Sequence, residues 1–247
     1  MNPTASPLAT PTRIVPRARA RRPFHAVMAL LIAAIVVYGF SHTVGRNLLH
    51  PATPRPPLLY AHSAVFCAWL ALFVVQSMLP AAGHVALHRR LGMAGAWLGA
   101  CVPLFGLSTA VVMYRFHLAQ DPQASSSPAG LAIPLNDMLS FAIAFGLALR
   151  WHRRPDVHRR LMLVAMASLT VAAFARFPGW LVPDPWWYLY VDGLVAIGAL
   201  RDALVDRRIH KVYLVALPVL AAAQGLAMWL ALAEPVRWVA ALKAVVG

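Results

Sequence analysis

The sequence predicts an all-α integral membrane protein with seven transmembrane helices, and two observations support this. Apolar residues make up 60% of the 247-residue chain and charged residues only 12%, which is about half the charged fraction of a soluble domain. The apolar residues also form runs that can cross a bilayer, which takes roughly 20 residues per helix. The predicted spans are 26–41, 58–80, 91–113, 134–150, 161–177, 186–204 and 212–233.

The distribution of basic residues predicts the orientation of the chain. Of the 22 Lys and Arg residues, sixteen lie in the N-terminal tail and in the loops joining spans 2–3, 4–5 and 6–7, whereas six lie on the other side. Because cytoplasmic loops carry the excess of positive charge, we expect the N-terminus in the cytoplasm and the C-terminus outside. The same basic loops predict contact with anionic lipid head groups. No nucleic-acid-binding motif accompanies the net charge of +14, so no nucleic acid partner is expected.

The chain divides into three parts. Residues 1–23 are rich in Pro, Thr, Ala and Arg without an apolar period, which predicts a disordered basic cytoplasmic tail. Residues 24–234 form the transmembrane domain. Residues 235–247 carry Trp238 among small apolar residues and predict a short helix at the outer membrane interface.

Span 2 carries a polar and aromatic stripe in which His62, Trp69 and Gln76 recur every seven residues. Seven residues are nearly two helical turns, so the three side chains share one face, which should point into the bundle where polar groups find partners. The stripe has two interpretations. It is a haem-ligating or quinone-contacting face, or it is a packing face whose His62 and Gln76 bond to neighbouring helices; the second is preferred.

A basic-histidine signature recurs at the inner ends of three spans. His88 and His158 start spans 3 and 5 at matched depth, as the axial ligands of a non-covalent b-type haem require. The alternative is that histidines at this level bond head groups or loop carbonyls, and that the neighbouring arginines only reflect the positive-inside rule. His210 is a weaker third member. The three segments are Leu87-His88-Arg89-Arg90-Leu91, Val157-His158-Arg159-Arg160-Leu161 and Arg207-Arg208-Ile209-His210-Lys211.

Three charged residues fall inside or near the outer ends of the spans: Asp137, Arg176 and Asp192. An ionised group in hydrocarbon is costly unless it is paired, so we expect Arg176 to pair with Asp192 or Asp137. Such a pair either locks spans 4, 5 and 6 together or forms part of a proton or substrate relay.

Enzymatic motifs are missing from the sequence. It contains no P-loop, GxSxG, HExxH or dinucleotide-binding glycine motif, and its eight carboxylates make a multi-carboxylate metal site improbable. The sequence therefore favours a protein that is not an enzyme and has no metal-ion site. No CxxCH haem-attachment motif occurs, so any haem would be bound non-covalently.

Several of these segments together resemble an uncharacterised bacterial family of multi-pass inner-membrane proteins with HRRLG- and HKRLM-type motifs. The resemblance covers roughly residues 36–233 and departs from the family at His84 and around Asp192. It implies a helical fold in the bacterial inner membrane, and it points to His62, His88, His158, Arg176 and His210. A looser similarity links the His-bearing hairpins to b-type cytochrome membrane proteins. The matching segments are His62-x6-Trp69-x6-Gln76, Ala81 to Gly92, Arg153 to Met162, Ala175 to Pro178 and Asp202 to His210.

Three functions remain open from the sequence. The first is a structural, assembly or sensory component of the inner membrane. The second is an electron-transfer protein with non-covalent haem b, in contact with quinone, and the third is a proton-coupled transporter that uses the buried charges. The sequence predicts neither a protein partner nor a substrate.

Overall fold

The fold is described from a computed structural model that covers residues 23–121 and 127–246. Within these ranges the chain is helical and contains no strand. The predicted tail at 1–23 lies outside the described residues except for Pro23. The helices are α1 (Pro23–Ser41), α2 (Pro57–Ala81), α3 (Val85–Gln120), α4 (Ala132–Arg150), α5 (Pro155–Ser168), α6 (Val171–Phe174), α7 (Trp187–Arg201), α8 (Lys211–Ala233) and α9 (Val236–Val246).

Six helical stretches are long and apolar enough to cross a membrane, which agrees with a multi-pass membrane protein. They correspond to predicted spans 1 to 5 and 7. Predicted span 6 corresponds to α7, which has 15 residues and continues directly into a π-helical turn, Asp202–Asp206. The six stretches are Phe24–Ser41, Pro57–Ala81, Val85–Gln120, Pro128–Arg150, Pro155–Phe174 and Lys211–Ala233.

The helix α5 occupies the centre of the bundle. In the stretch Pro155–Phe174, 67% of the apolar window is buried, against 11% to 39% in the other five stretches, and α5 packs against α1, α4, α7 and α8. The stretch breaks between α5 and α6, where the Ser168 and Thr170 hydroxyls donate to the carbonyls of Val164 and Ala167. Such hydroxyls compete with the helical backbone bonds, which accounts for the break at residues 169 and 170. The next helix, α6, then ends at Phe174, whereas the predicted span continued to residue 177.

An aromatic cluster holds α2, α3 and α4 together. The Trp69 ring lies edge-on to Phe141 and Phe145, with ring centroids 5.5 and 5.2 Å apart. The Phe145 ring also lies directly against Gly99 of α3, where any Cβ would overlap it. The missing side chain of Gly99 therefore lets α3 and α4 approach closely.

The helix α3 is much longer than its predicted span. Its 36 residues extend about 54 Å, whereas the hydrocarbon core is about 30 Å thick. Near its end, Arg115 Nε donates to the Val246 carbonyl at 2.8 Å, and Trp238 Nε1 donates to the Ala129 carbonyl at 3.4 Å. The C-terminal segment is thus helical, as expected. Its helix α9 is hydrogen-bonded to the end of α3 and to the turn Pro128–Leu131.

Candidate functional site

His88 lies in the first turn of α3, beside the end of α2. Its Nδ1 donates a hydrogen bond to the backbone carbonyl of Gln76 at 3.2 Å. In an unbroken helix this carbonyl would accept from the N–H of residue 80, but Pro80 has no N–H. His88 therefore supplies the donor that Pro80 removes.

His158 has the same role at the end of α4. Its Nδ1 donates to the Ala148 carbonyl at 2.9 Å, in the last turn of a helix that ends at Arg150. The N–H of His152 would normally bond this carbonyl, but it bonds the Leu149 carbonyl at 3.2 Å instead. The last carbonyls of a helix lack partners within the helix, and His158 provides one.

The structure brings the two histidines together. The ring centroids of His88 and His158 are 6.4 Å apart, with the ring planes at 76°. Because a carbonyl only accepts, each Nδ1 must carry the hydrogen, and the lone pair of the neutral ring is then on Nε2. A backbone carbonyl at the other ring nitrogen is the usual orienting partner of a metal-binding histidine.

The distance between the two ring centroids is close to that of two imidazoles on opposite sides of one metal ion. A metal–imidazole bond is about 2.0 Å long and the ring centroid lies about 1 Å further on, so two rings on opposite sides of one metal have centroids about 6 Å apart. In the described ranges no group of three or more His, Cys, Asp or Glu could hold a metal ion. Two protein ligands are too few for a tetrahedral ion but suffice for haem iron, which takes only axial ligands from protein.

The stripe on α2 faces the interior, as predicted, but three of its polar atoms lack a hydrogen-bond partner among the described residues. Trp69 is 3% exposed, and His62 packs on Phe66 with ring centroids 4.1 Å apart. Within the described ranges, His62 Nδ1, Trp69 Nε1 and Gln76 Oε1 are buried without a hydrogen-bond partner. His62 nevertheless forms a hydrogen bond to the Phe105 backbone of the neighbouring helix α3, as expected, whereas the expected bond of Gln76 is not formed at Oε1.

The ion pair predicted for Arg176 is also wrong. Arg176 Nε donates to Thr43 Oγ1 at 3.2 Å, and the guanidinium lies over the Phe40 ring, 4.4 Å from its centroid. The break after α5 explains the error, because the chain no longer continues along the predicted helix face toward Asp137 and Asp192. Arg176 instead joins the end of α6 to the end of α1.

The two carboxylates have neutral partners. Asp137, which is 5% exposed, accepts hydrogen bonds from the Tyr188 hydroxyl at 2.8 Å and from Asn136 Nδ2 at 3.3 Å. Asp192 accepts from Gln224 Nε2 at 3.0 Å. These contacts join α4 to α7 and α7 to α8 without placing either carboxylate against Arg176.

A charged network around Arg160, two residues after His158, is a feature that the sequence did not predict. Arg160 and Asp202 are 4% and 2% exposed, and Arg160 Nε and NH2 donate to the two Asp202 oxygens at 2.7 and 2.8 Å. Arg201 NH1 contacts Asp202 at 3.0 Å and Asp206 at 2.7 Å. The positive-inside rule was a sufficient explanation for Arg160 alone, yet Asp202 and Asp206, four residues apart around the end of predicted span 6, were a usable signal in a chain with only eight acidic residues.

His210 forms a different contact from those of His88 and His158. It is the N-cap of α8, and its Nδ1 accepts from the Val212 N–H at 3.2 Å. Its Nε2 lies 3.4 Å from Asp156 Oδ2. The hydrogen of the neutral ring is therefore on Nε2, so this histidine has the opposite tautomer from the other two.

A basic cavity of about 410 Å³ opens beside this network, between the starts of α5 and α8. Four of its lining residues are Lys or Arg and two are Asp. Within the described ranges, Arg159 Nε is buried without a hydrogen-bond partner. The lining residues are Asp156, Arg159, Arg160, Asp206, Arg208, His210 and Lys211.

An apolar groove of about 800 Å³ runs along α4, α5 and α8. It extends from Trp151 and Lys211 at the ends near the basic cavity to Trp238 of α9. Asp156, His210 and Lys211 line both the groove and the cavity. Neither the cavity nor the groove is lined by His88 or His158. The two histidines could therefore act as ligands, but neither of these two spaces is a preformed pocket for a cofactor between them.

Comparisons of the chain with known protein families, curated proteins and solved structures find no match.

Proposed function

We propose that the chain is a bacterial inner-membrane protein that crosses the membrane seven times and binds one non-covalent b-type haem between His88 and His158, as an electron carrier. The pairing of the two rings supports this most directly. They lie 6.4 Å apart, and a carbonyl fixes the tautomer of each so that Nε2 remains free for iron.

The contact between the starts of α5 and α8 supports the proposal of seven crossings. His210 and Asp156 are 3.4 Å apart, so the chain that leaves this surface along α5 must return to it before α8 begins. The only long helix between them in the described ranges is α7. With the π-helical turn Asp202–Asp206 that follows it, α7 gives an unbroken helical segment from residue 187 to residue 206, which is about the length that a crossing needs.

The proposed orientation places the histidine pair at the cytoplasmic surface. His88 and His158 adjoin the loops in which basic residues are concentrated, and such loops remain in the cytoplasm. A bound haem would supply one-electron chemistry at this surface. The chain itself would hold the imidazoles of His88 and His158 at the same membrane depth, one in the α2–α3 hairpin and one in the α4–α5 hairpin.

A spectrum of the purified protein tests the proposal. The full chain, expressed with haem supplied, should show a reduced-minus-oxidised b-type spectrum and about one haem per chain. His88→Asn and His158→Asn should each abolish the axial pair, because the Asn amide reproduces the Nδ1 donor but not the Nε2 ligand. The matched control is His152→Asn, which changes an exposed histidine whose Nδ1 donates to the Leu149 carbonyl of its own turn.

A folded protein without a haem spectrum would overturn the proposal. Equal spectra for the wild type and both Asn variants would show instead that any haem is held elsewhere, and would equally exclude these ligands. Loss of the spectrum in His152→Asn as well would mean that the substitutions act through the fold.

A structural, assembly or sensory role is the second candidate, and one observation favours it. Both histidines satisfy carbonyls that would otherwise be free at helix ends, which is a sufficient reason for their presence. In that case His88→Asn should be nearly as stable as the wild type, whereas His88→Ala should lose about 1 to 2 kcal/mol. The transport hypothesis loses support, because the relay it required from Arg176 to Asp192 or Asp137 is not formed within the described ranges.

A further inference from the structure

We propose that the basic cavity and the apolar groove together form one binding site for an anionic phospholipid. The phosphate occupies the cavity between the starts of α5 and α8, and an acyl chain lies in the groove along α4, α5 and α8. This site is separate from the histidine pair. It depends on the proposed function only for the assignment of the lipid to the inner leaflet.

The charges of the cavity match a phosphate. Arg159, Arg208 and Lys211 line it together with Arg160, whose guanidinium is occupied by Asp202. The cavity therefore has three cationic side chains, Arg159, Arg208 and Lys211, against one lining acid, Asp156, that is not in the Arg160 and Arg201 network. Arg159 Nε is buried and lacks a hydrogen-bond partner within the described ranges, and a buried donor without an acceptor is costly. A phosphate oxygen would supply that acceptor.

The groove matches an acyl chain. Its walls are almost entirely apolar side chains of α4, α5 and α8. Along α8 it is lined from Lys211 to Leu230, which is about 28 Å of helix, whereas one leaflet of the hydrocarbon core is about 15 Å thick. The groove is therefore long enough for a complete acyl chain from the leaflet at the basic end.

The junction between cavity and groove requires a molecule with both parts. Asp156, His210 and Lys211 line both spaces, so a ligand can place a polar head in one and a tail in the other. A free phosphate would leave the groove unused. An isoprenoid quinone would leave the surplus of cationic groups uncompensated. Basic pockets between helices at the cytoplasmic side are typical sites for anionic lipid head groups.

Native mass spectrometry of the delipidated full chain in detergent tests the proposal. Dioleoyl phosphatidylglycerol should bind at about one per chain and more tightly than dioleoyl phosphatidylcholine, which has the same tails. The double variant Arg208→Gln/Lys211→Gln should weaken the binding of phosphatidylglycerol about thirtyfold. Each basic residue near a membrane surface contributes roughly fivefold to the affinity for an anionic lipid, so two together contribute about thirtyfold. The control Arg89→Gln/Arg90→Gln removes the same charge from exposed positions outside the cavity and should change the affinity little.

A second pair of variants tests the groove independently. Val219 lines the groove and is exposed, so Val219→Trp should fill the path of the tail and weaken phosphatidylglycerol about tenfold, the effect of displacing about two methylenes. The control Leu214→Trp changes an exposed residue of α8 outside the groove and should bind as the wild type does.

Three results would overturn the proposal. One is equal affinity for the two lipids, and another is equal loss in the cavity variant and its control. The third is complete displacement of the lipid by inorganic phosphate or by a quinone at similar concentration, which would identify a free-anion or quinone site instead. Haem binding and its loss leave this experiment unaffected, since His88 and His158 do not line the site.

Discussion

In the hairpins α2–α3 and α4–α5, a histidine ring donates to a carbonyl at the end of the preceding helix. In the hairpin α7–α8, His210 instead accepts from a backbone N–H of its own helix. The turn before it contains the ion pair of Arg201 with Asp206, and Arg160 of α5 binds Asp202 beside it. Three similar segments of sequence are therefore closed by two different kinds of bond.

The difference shows that the same sequence pattern, a histidine beside basic residues, can form hydrogen bonds in two different directions. Where the preceding helix leaves a carbonyl free, as Pro80 does at Gln76, the ring turns back to it and Nε2 remains available. Where the histidine itself precedes the first turn of a helix, as His210 does, its lone pair is used on the N-terminal N–H groups. The local backbone thus decides which of these histidines can act as a ligand.

The largest expected effect is in the charged hairpin. Arg160→Ala leaves Asp202, which is 2% exposed, without its two-pronged partner, and breaking a buried ion pair costs about 3 to 5 kcal/mol. The free energy of unfolding in mixed micelles measures this loss. Arg90→Ala, at an exposed position, is the control, and an equal loss in both variants would refute the importance of the network.

A smaller effect is expected from Pro80 and His88 together. Pro80→Ala restores an N–H to the Gln76 carbonyl, so the cost of His88→Ala, about 1 to 2 kcal/mol alone, should fall by at least half in that background. A double-mutant cycle measures the coupling. His158→Ala is the control, since its carbonyl is in another helix, and its cost should be the same with or without Pro80.

The smallest effect should distinguish the third histidine from the second. His210→Ser keeps a side-chain acceptor at an N-cap and should cost a few tenths of a kcal/mol, whereas His210→Ala should cost about 1 kcal/mol. At His158 the Ser hydroxyl is too short to reach the Ala148 carbonyl, so His158→Ser should be as unstable as His158→Ala. Thermal unfolding measures both, and the same ranking at the two sites would contradict the assigned hydrogen-bond directions.

Much of the fold could be predicted from the sequence because lipid-spanning helices leave a strong hydropathy signal. The signal does not contain the break at Ser168 and Thr170, since their hydroxyl bonds form only within the folded helix. It does not set the ends of α3 either, because Val85 and Gln120 extend the helix beyond the apolar run.

The site could be predicted in part. The matched depth of His88 and His158 followed from their places in two hairpins, although their orientation depends on how α3 and α5 pack. The contacts of Arg160 and Arg176 could not be predicted, because charge counting explains why arginines are present at a surface but not which way they point. One has a carboxylate partner from a distant helix, and the other a hydroxyl.

The bond between Arg160 and Asp202 joins residues 42 positions apart, and this separation has a consequence for biosynthesis. The two histidine bonds close within 12 and 10 residues, so each can form as soon as its own hairpin is inserted. Arg160 has to wait for Asp202, which at about 5 to 20 residues per second takes roughly 2 to 8 seconds of translation. During that interval Arg160 lacks the carboxylate that binds it in the folded chain, although the rest of the central helix α5 has already been synthesised.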